Sequence, residues 1–430
     1  MKINSVKGMK DVLPTVEGEE VAFNSRIWAK AEAVFHDVFR RYAFDEVRTP
    51  IVEEAQLFAR GVGEATDIVG KEMYTFDERG GKKLLALRPE GTAGAVRAYI
   101  EHGLPMRDPV QRWWYFGPMF RHERQQKHRY RQFFQVGVEA FGVANPEADA
   151  EILALCRDIL EGLGLTGIEL RLNSLGDENC RPAYLELLQA YLRERKDQLC
   201  AECQDRLERN PLRVLDCKNA GCKAVVADAP ASYDHLCGAC AEHFGRVRTL
   251  VDRLGIQYHL DKNLVRGLDY YSRTSFEFLA SALGGGQQTA VCGGGRYDGL
   301  VKLLGGADTP AIGFAMGVER LCALMAQAHG VPSAAPALFV AFGDEAGRDE
   351  ALQLVSAARA KGLAVEADFR GGKLARQLAR ADKRGARFAV VLGGNEVASR
   401  RVKLKDMQGG AESEVSLDAL VDEIAARLRA

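Results

Sequence analysis

The stretch from residue 82 to 142 constrains the fold of this chain more than any other part. Its apolar residues come in short runs, KKLLALRPEG, PVQRWWYFGPMFR and RQFFQVGVEAFG, each broken by Gly or Pro. Runs of that length, rich in aromatic and β-branched residues, read as strands joined by hairpins. Upstream, Phe23, Ile27, Val34, Val38 and Tyr42 recur near helical spacing, and Phe35 and Phe39 widen the stripe. That pattern predicts one long amphipathic helix over 19–42. It leads into FDEVRTPIVE, an extended segment whose Pro50 suits a strand edge or start. Helices flanking an antiparallel sheet make an α+β core.

Residues 176–250 differ in texture. They carry Leu, Arg and Glu at helical spacing, are rich in cysteine, and read as a mostly helical insertion. The core resumes near IQYHLDKNLVRGLDYY and closes with TPAIGFAMGVERLCALM, a strand leading into a helix. AQAHGVPSAAPA then reads as a linker. Beyond it strands and helices alternate, which predicts a compact α/β domain with a largely parallel sheet. The expected organisation is a core unit over 1–330, holding the insertion at about 176–250, and a second domain over 337–430. The formal net charge of −1 means that a nucleic-acid partner must be held by local basic patches. The N-terminus MKINSVKGMKDVLP has no apolar h-region, and no apolar run is long enough to span a membrane. The expectation is a cytoplasmic chain with no membrane partner. There its ten cysteines read as metal ligands or buried thiols before disulfides.

Five segments carry candidate chemistry. LVRGLDYY (264–271) places Arg266, Asp269, Tyr270 and Tyr271 before an alternating, strand-like run. An arginine fork suits phosphate oxygens and a tyrosine gives an apolar wall with a polar tip. The alternative is an aromatic core strand with an ion pair. In WYFGPMFRHERQQKHRYRQFFQVGVEAFG (114–142), one strand ends near Arg121 and Glu123, and a cationic loop follows. A second strand then turns Phe133, Gln135 and Glu139 to one face. The alternative is a polar hairpin with cross-strand ion pairs. LRPEGTAGAVRAY (87–99) sets Arg88, Glu90, Gly91 and Thr92 at a strand-to-helix turn, where a carboxylate and a hydroxyl could grip an ammonium group. Helix capping by Thr92 is the competing reading. AIGFAMGVERL (311–321) is a strand, a glycine and a helix bearing Glu319 and Arg320. CGGGRYDGL (292–300) offers glycines that let a ligand approach the backbone. Neither a Rossmann fingerprint nor a G-x-x-x-x-G-K-[ST] P-loop occurs, so ATP would have to bind without one.

Together these segments resemble the class II aminoacyl-tRNA synthetases, and within them the histidyl-tRNA synthetase family. VRTPIVE with its preceding helix resembles motif 1, FRHERQQKHRYRQF motif 2 and GFAMGVERL motif 3. LVRGLDYY and GGGRYDGL resemble the two histidine-specific peptides, and the alternating C-terminal domain is similar to the family's anticodon-binding domain. The resemblance implies a homodimer that joins L-histidine to tRNA(His) at the expense of ATP with Mg2+. Carried over residue by residue, it implies that Glu90 and Thr92, with Gln135, hold the α-amino group, and that Gly91 belongs to the same histidine site. Glu139, Tyr271 and Tyr297 surround the imidazole, with Tyr270 beside them. Arg121 and Arg266 meet the α-phosphate and the histidine carboxylate. Phe133 stacks on adenine with Arg320 on its other face or near the γ-phosphate, Arg129 reaches the outer phosphates, and Glu123 faces the adenine edge.

For tRNA, the resemblance implies acceptor-end contacts from the motif 2 loop, with Arg124, Gln126 and Lys127. In the last domain Lys373, Arg376, Arg380, Lys383, Arg384 and Arg387 recur at helical spacing with only Asp382 opposing. That stripe is either a solvated helix face or a phosphate-binding one. Cys200-x-x-Cys203 and Cys237-x-x-Cys240 are paired knuckles with Cys217 and Cys222 between them. The two pairs could form one tetrahedral zinc site, although the 33 residues between them exceed the usual ribbon spacing; reduced buried thiols are the alternative. The rival to a ligase is a non-catalytic, synthetase-like regulatory subunit of amino-acid biosynthesis. It would be expected to lose the Arg266 peptide and the C-terminal domain, and both are present. A class II synthetase for another amino acid would need a different pocket in place of Tyr271 and Tyr297.

Overall fold

The computed structural model describes residues 3–63, 66–123, 129–281 and 289–429. It divides into two units, Met1–Pro332 and Ser333–Ala430.

The helix expected over 19–42 is cut at Asn24. Gly18–Phe23 forms a 3-10 turn, and the Asn24 side chain then accepts the Arg26 N–H at 3.0 Å, so the α-helix runs Ser25–Arg41. A side-chain oxygen that satisfies an orphan amide fixes a helix start, which an apolar stripe does not reveal. The stripe still faces inward, with Phe23, Ile27, Phe35, Val38 and Phe39 buried.

In chain order, the strands of the first unit are β1 (Asp45–Glu46), β2 (Val52–Glu54), β3 (Tyr74–Asp77), β4 (Leu84–Leu87), β5 (Gln111–Phe120), β6 (Gln132–Phe141), β7 (Ile168–Ser174), β8 (Tyr258–Leu260), β9 (Ser272–Ala280), β10 (Thr289–Arg296) and β11 (Ala311–Gly317). Eight of them form one sheet in the order β1-β5-β6-β11-β10-β9-β7-β8. Its interior pairings are antiparallel, as the hairpin pattern predicts, and only the end pairs β1–β5 and β7–β8 are parallel. β2, β4 and β3 make a small antiparallel sheet beside it.

Strand alternation separates core from site. Val136, Val138, Ile312 and Met316 turn to one face. There they join the main core with residues of the helices Ser25–Arg41, Pro146–Gly162, Gly238–Arg253 and Val318–His329. The other face of the same two strands carries Phe133, Gln135 and Glu139 beside Gly313, Ala315 and Gly317. Large residues thus build the core side of β11, and small ones leave its other side open.

The insertion is helical, as expected. Arg181–Arg193, Ala201–Arg209, Leu212–Leu215 and Ala220–Val226 pack around Leu188, Leu192, Leu207, Val214 and Val225. The helix Gly238–Arg253, also within the expected span, sends Phe244, Val247 and Val251 into the main core.

The second unit contains β12 (Leu338–Phe342), β13 (Val365–Ala367), β14 (Phe388–Leu392), β15 (Arg401–Asp406) and β16 (Glu412–Ser416), in the order β13-β12-β14-β15-β16. β13, β12 and β14 are parallel, while β14–β15 and β15–β16 are antiparallel. The sheet is therefore mixed, where a largely parallel one is expected from sequence. β16 reads ESEVS and has no apolar run to announce it. It is an edge strand marked by charge, with Arg401 paired to Glu414 at 2.7 Å. Among the described residues no helix is long and apolar enough to cross a membrane.

Candidate active site

The open face of the large sheet forms the floor of a cleft of about 1050 Å³, solvent mouth included. Five separate stretches of sequence converge on it: Glu90 and Thr92; Arg121, Glu123, Arg129, Phe133 and Gln135; Arg266, Tyr270 and Tyr271; Cys292 and Gly293; and Arg320. Gly91, Glu139 and Tyr297 do not line the cleft. Arg124, Gln126 and Lys127 lie outside the described residues.

Arg266 enters the cleft from the loop before β9 and is paired with Glu277 on that strand. Burial opposes its charge most strongly, but Glu277, Tyr271, Cys292 and Tyr270 together outweigh it, and the guanidinium pKa is raised. Its Nε is buried without a partner. Gly293, opposite Glu277 on β10, makes the room, since a Cβ there would collide with the guanidinium. The neighbouring glycines serve the protein too. A Cβ at Gly294 would strike Phe276 and Phe314, and one at Gly295 would press on Tyr271. The glycine run expected to admit a ligand thus first admits the chain's own side chains. Arg296 leaves the site altogether and pairs with Asp149 at 2.6 Å, both fully buried.

Glu90, and not Thr92, caps the helix Thr92–Glu101. Its two carboxylate oxygens accept the N–H groups of Thr92 and Ala93 at 2.7 and 2.9 Å. A carboxylate is well placed at a helix N-terminus. Burial nonetheless raises its pKa. Thr92 is free to point elsewhere, and its hydroxyl donates to Glu139 at 2.7 Å. Tyr115 also donates to Glu139, at 3.2 Å, and Tyr297 hydrogen-bonds its other oxygen. Glu139 is 1% exposed, and burial pushes its pKa up to about 8 against those donors. Glu139 and Tyr297 therefore stand one layer behind the cleft wall that Thr92, Tyr115 and Tyr270 present. Arg88 belongs to the frame, donating to the carbonyls of Pro118 and Thr49 at 2.9 and 3.0 Å.

On the other side of the cleft, Arg121 donates to the Pro89 carbonyl at 2.8 Å and its guanidinium sits 5.2 Å from the centre of the Phe133 ring. Arg129 pairs with Glu123 at 2.8 Å. Arg320 donates to the Ala290 carbonyl at 2.6 Å, and burial lowers its pKa. Oε1 of Gln135 is buried and unpartnered. Residues to which motif reasoning gave no role also shape the site. Tyr115 lines it, with Gly91 and Gly137 making way for its ring. Glu319 accepts the Phe134 N–H at 2.9 Å, and burial pushes its pKa up to about 7. Glu277, a lone carboxylate in the aromatic strand SRTSFEFLA, carried a readable signal.

Two other expectations change. The pairs Cys200/Cys203 and Cys237/Cys240 do not form one site. The first gathers with Cys217 and Cys222, the second with Asp177 and Cys180. They cap two different helices, which the fold directs to different packing partners. The cationic stripe of the helix Leu374–Lys383 is also opposed by more than Asp382. Arg380 and Arg384 pair with Glu366 at 3.1 and 2.7 Å, and Arg387 pairs with Asp406 at 2.9 Å. Lys373, Arg376 and Lys383 are exposed and carry no ion pair among the described residues.

Comparison with known proteins points the same way. Residues 24–321 match the family model described as Histidyl-tRNA synthetase, and residues 337–427 match Anticodon binding domain. A histidine–tRNA ligase of Anaeromyxobacter dehalogenans is 55% identical over 429 residues, covering 100% of both chains. One from Geobacter metallireducens is 48% identical over 417 residues, covering 97% of this chain and 98% of its own. Among solved structures, apo S. aureus histidyl-tRNA synthetase is similar with a TM-score of 0.79 at 35% identity, over 98% of this chain and 100% of its own.

Proposed function

The chain belongs to the histidyl-tRNA synthetase family, and we infer that it is a histidine–tRNA ligase. Its cleft forms histidyl-adenylate from L-histidine and ATP, then passes the histidyl group to the 3′ end of tRNA(His), leaving AMP and diphosphate. The observation that carries this reading is the convergence of Arg121 and Arg266 on one cleft with Glu90, Thr92, Gln135 and Tyr271. The regulatory alternative is not favoured, since the full-length relatives are ligases.

Activation brings two anions together, the histidine carboxylate and the α-phosphate of ATP. Fixed cations are needed where their charge builds up. Arg121 and Arg266 supply them without proton transfer, because arginine stays charged. The unpartnered Nε of Arg266, a residue lining the cleft, is a donor that the carboxylate or phosphate would satisfy. Oε1 of Gln135 is an acceptor for the α-ammonium group, with Glu90 supplying negative charge nearby. Gly91 takes part through the room it leaves for Tyr115. Tyr270 and Tyr271 wall the imidazole, and the Glu139–Tyr297 pair behind them fixes the polar lining. A site that hydrogen-bonds a polar ring rejects apolar competitors, because its buried groups would be left unpaired.

Phe133 stacks on adenine, with Arg320 on its other face, and Arg129 and Glu123 close on the phosphates and the adenine edge. Bound with ATP as part of the substrate, Mg2+ would supply positive charge against the phosphate oxygens. The carboxylates on this side of the cleft that fit it are Glu319 and Glu123. The second unit binds the anticodon region through Lys373, Arg376 and Lys383, and Arg124, Gln126 and Lys127 serve the acceptor end. We assign the chain to the cytoplasm as a homodimer formed through the VRTPIVE segment, a state that light scattering would read as twice the chain mass.

The test is isotope exchange. The protein is incubated with ATP, magnesium, labelled pyrophosphate and each amino acid in turn. Exchange with histidine alone is expected, and exchange with no amino acid sinks the reading.

A further inference from the structure

We propose that the chain holds two structural zinc ions, one bound by Cys200, Cys203, Cys217 and Cys222, the other by Asp177, Cys180, Cys237 and Cys240. In each set the ligand atoms all lie within 4.8 Å of one another. No described cysteine is in a disulfide.

A zinc–sulfur bond of about 2.3 Å in a tetrahedron sets neighbouring sulfurs about 3.8 Å apart. Cys200 and Cys217 stand at 3.9 Å. The backbone N–H of Cys200 also donates to the Cys222 sulfur at 3.2 Å. Cys200 occupies the N-cap of the helix Ala201–Arg209 and Cys203 its first turn. The ligand spacing becomes C-x2-C-x13-C-x4-C, close to that of zinc ribbons. The long gap between the two C-x-x-C pairs is no longer an obstacle, since they do not share an ion.

The second set repeats the device. Cys180 caps Arg181–Arg193 and Cys237 caps Gly238–Arg253. Oδ1 of Asp177 lies 3.7 and 3.8 Å from the sulfurs of Cys180 and Cys237, spacings that a shared ion would produce. Its other oxygen accepts from Arg273 at 3.3 Å, which orients it as outer partners orient metal ligands. In the metal-free chain the two thiols donate to Oδ1, so the same groups already face one point. Each set offers four protein ligands, three or four of them soft sulfur, and so selects zinc over magnesium or calcium in a closed, structural site. The thiols release their protons on binding.

The sites hold different things. The first lies in the insertion's own core, to which Cys203, Cys217 and Cys222 belong. The second ties two helices to the turn beside the cleft: Arg181 donates to the Tyr271 carbonyl, and Gly176 accepts the Arg273 N–H at 2.8 Å.

The test is metal analysis of the full chain, purified under reducing conditions without chelator. Two zinc ions per chain are expected, falling to one in Cys217→Ser and to one in Cys237→Ser. No stoichiometric zinc in the wild type after anaerobic loading, or iron in its place, overturns the proposal. A count unchanged by either variant overturns the site that the variant was meant to remove. Should a variant fail to fold, cobalt(II) loading of the wild type decides. Intense thiolate charge-transfer and tetrahedral bands are expected, and a weak octahedral spectrum counts against both sites. None of these readouts depends on histidine activation, so their failure leaves the proposed function standing.

Discussion

In the cleft, Nε of Arg266 and Oε1 of Gln135 are buried without partners. In the second unit, Arg380, Arg384 and Arg387 all end on carboxylates of their own domain. Both regions looked cationic or polar in sequence, yet they handle polarity in opposite ways. A buried polar atom left unpaired costs about 1–3 kcal/mol. In the cleft a ligand can remove that cost, although buried unpaired atoms such as Arg97 Nε and Thr274 Oγ1 occur away from it as well. An exposed cation that meets a nearby carboxylate has little left to offer a partner. Between these two regions, then, the difference lies in the state of each group's hydrogen-bond partners more than in its charge.

The largest effect expected from this contrast is at Arg266. Arg266→Ala should lower histidine-dependent pyrophosphate exchange by about 10²–10³-fold, the usual scale for removing one donor to developing negative charge. The change also strands Glu277 in a buried position, so the melting temperature should fall. Adding Glu277→Gln should restore the melting temperature and leave exchange slow. If the single variant keeps exchange within tenfold of the wild type, Arg266 is a structural cation like Arg384 and the contrast fails.

Glu139 is an intermediate case, buried at the site and fully partnered. Its pKa of about 8 lies above the ordinary value of 4.5. Between those values the folded state keeps a proton that the unfolded chain has lost. The stability contributed by this group is thus complete below about pH 4.5, declines as pH rises, and is gone above about pH 8. From about pH 5.5 to 8.5 the loss is about 3 kcal/mol. Glu139→Gln cannot titrate, so its first-unit melting temperature should fall less over that range than the wild type's. Equal falls in the two proteins would mean that Glu139 is ionised throughout.

Much of the cleft was legible because strand alternation is local. Phe133, Gln135 and Glu139 share a face by spacing alone, and LVRGLDYY and the motif 3 turn fell at element ends. The partners were not legible, because they arrive from other strands. Glu277 reaches Arg266 only once β9 pairs with β10, and Gly313 faces Glu139 only through the register of β6 with β11. The same limit hid Glu366 and Asp406, which close the cationic stripe from β13 and β15. The division of the cysteines followed from which helices they cap, and Asn24 and β16 were missed because a cap and a charged edge leave no apolar pattern.

The smallest effects, and the sharpest check on the contrast, lie on the second unit. Lys373, Arg376 and Lys383 are the exposed members of the stripe without an ion pair among the described residues. Replacing all three with alanine should weaken tRNA binding and lower the slope of log affinity against log salt by about 2, at about 0.7 per phosphate contact on single-stranded RNA. Histidine-dependent exchange, which needs no tRNA, should not change. Arg384→Ala removes a surface ion pair and should cost about 0–1 kcal/mol of stability, with the salt slope unaltered. Filter binding across a salt series separates the two outcomes. If Arg384→Ala lowers the slope as a Lys383→Ala variant does, its pairing with Glu366 opens for RNA, and a satisfied cation on this helix can no longer be read as structural.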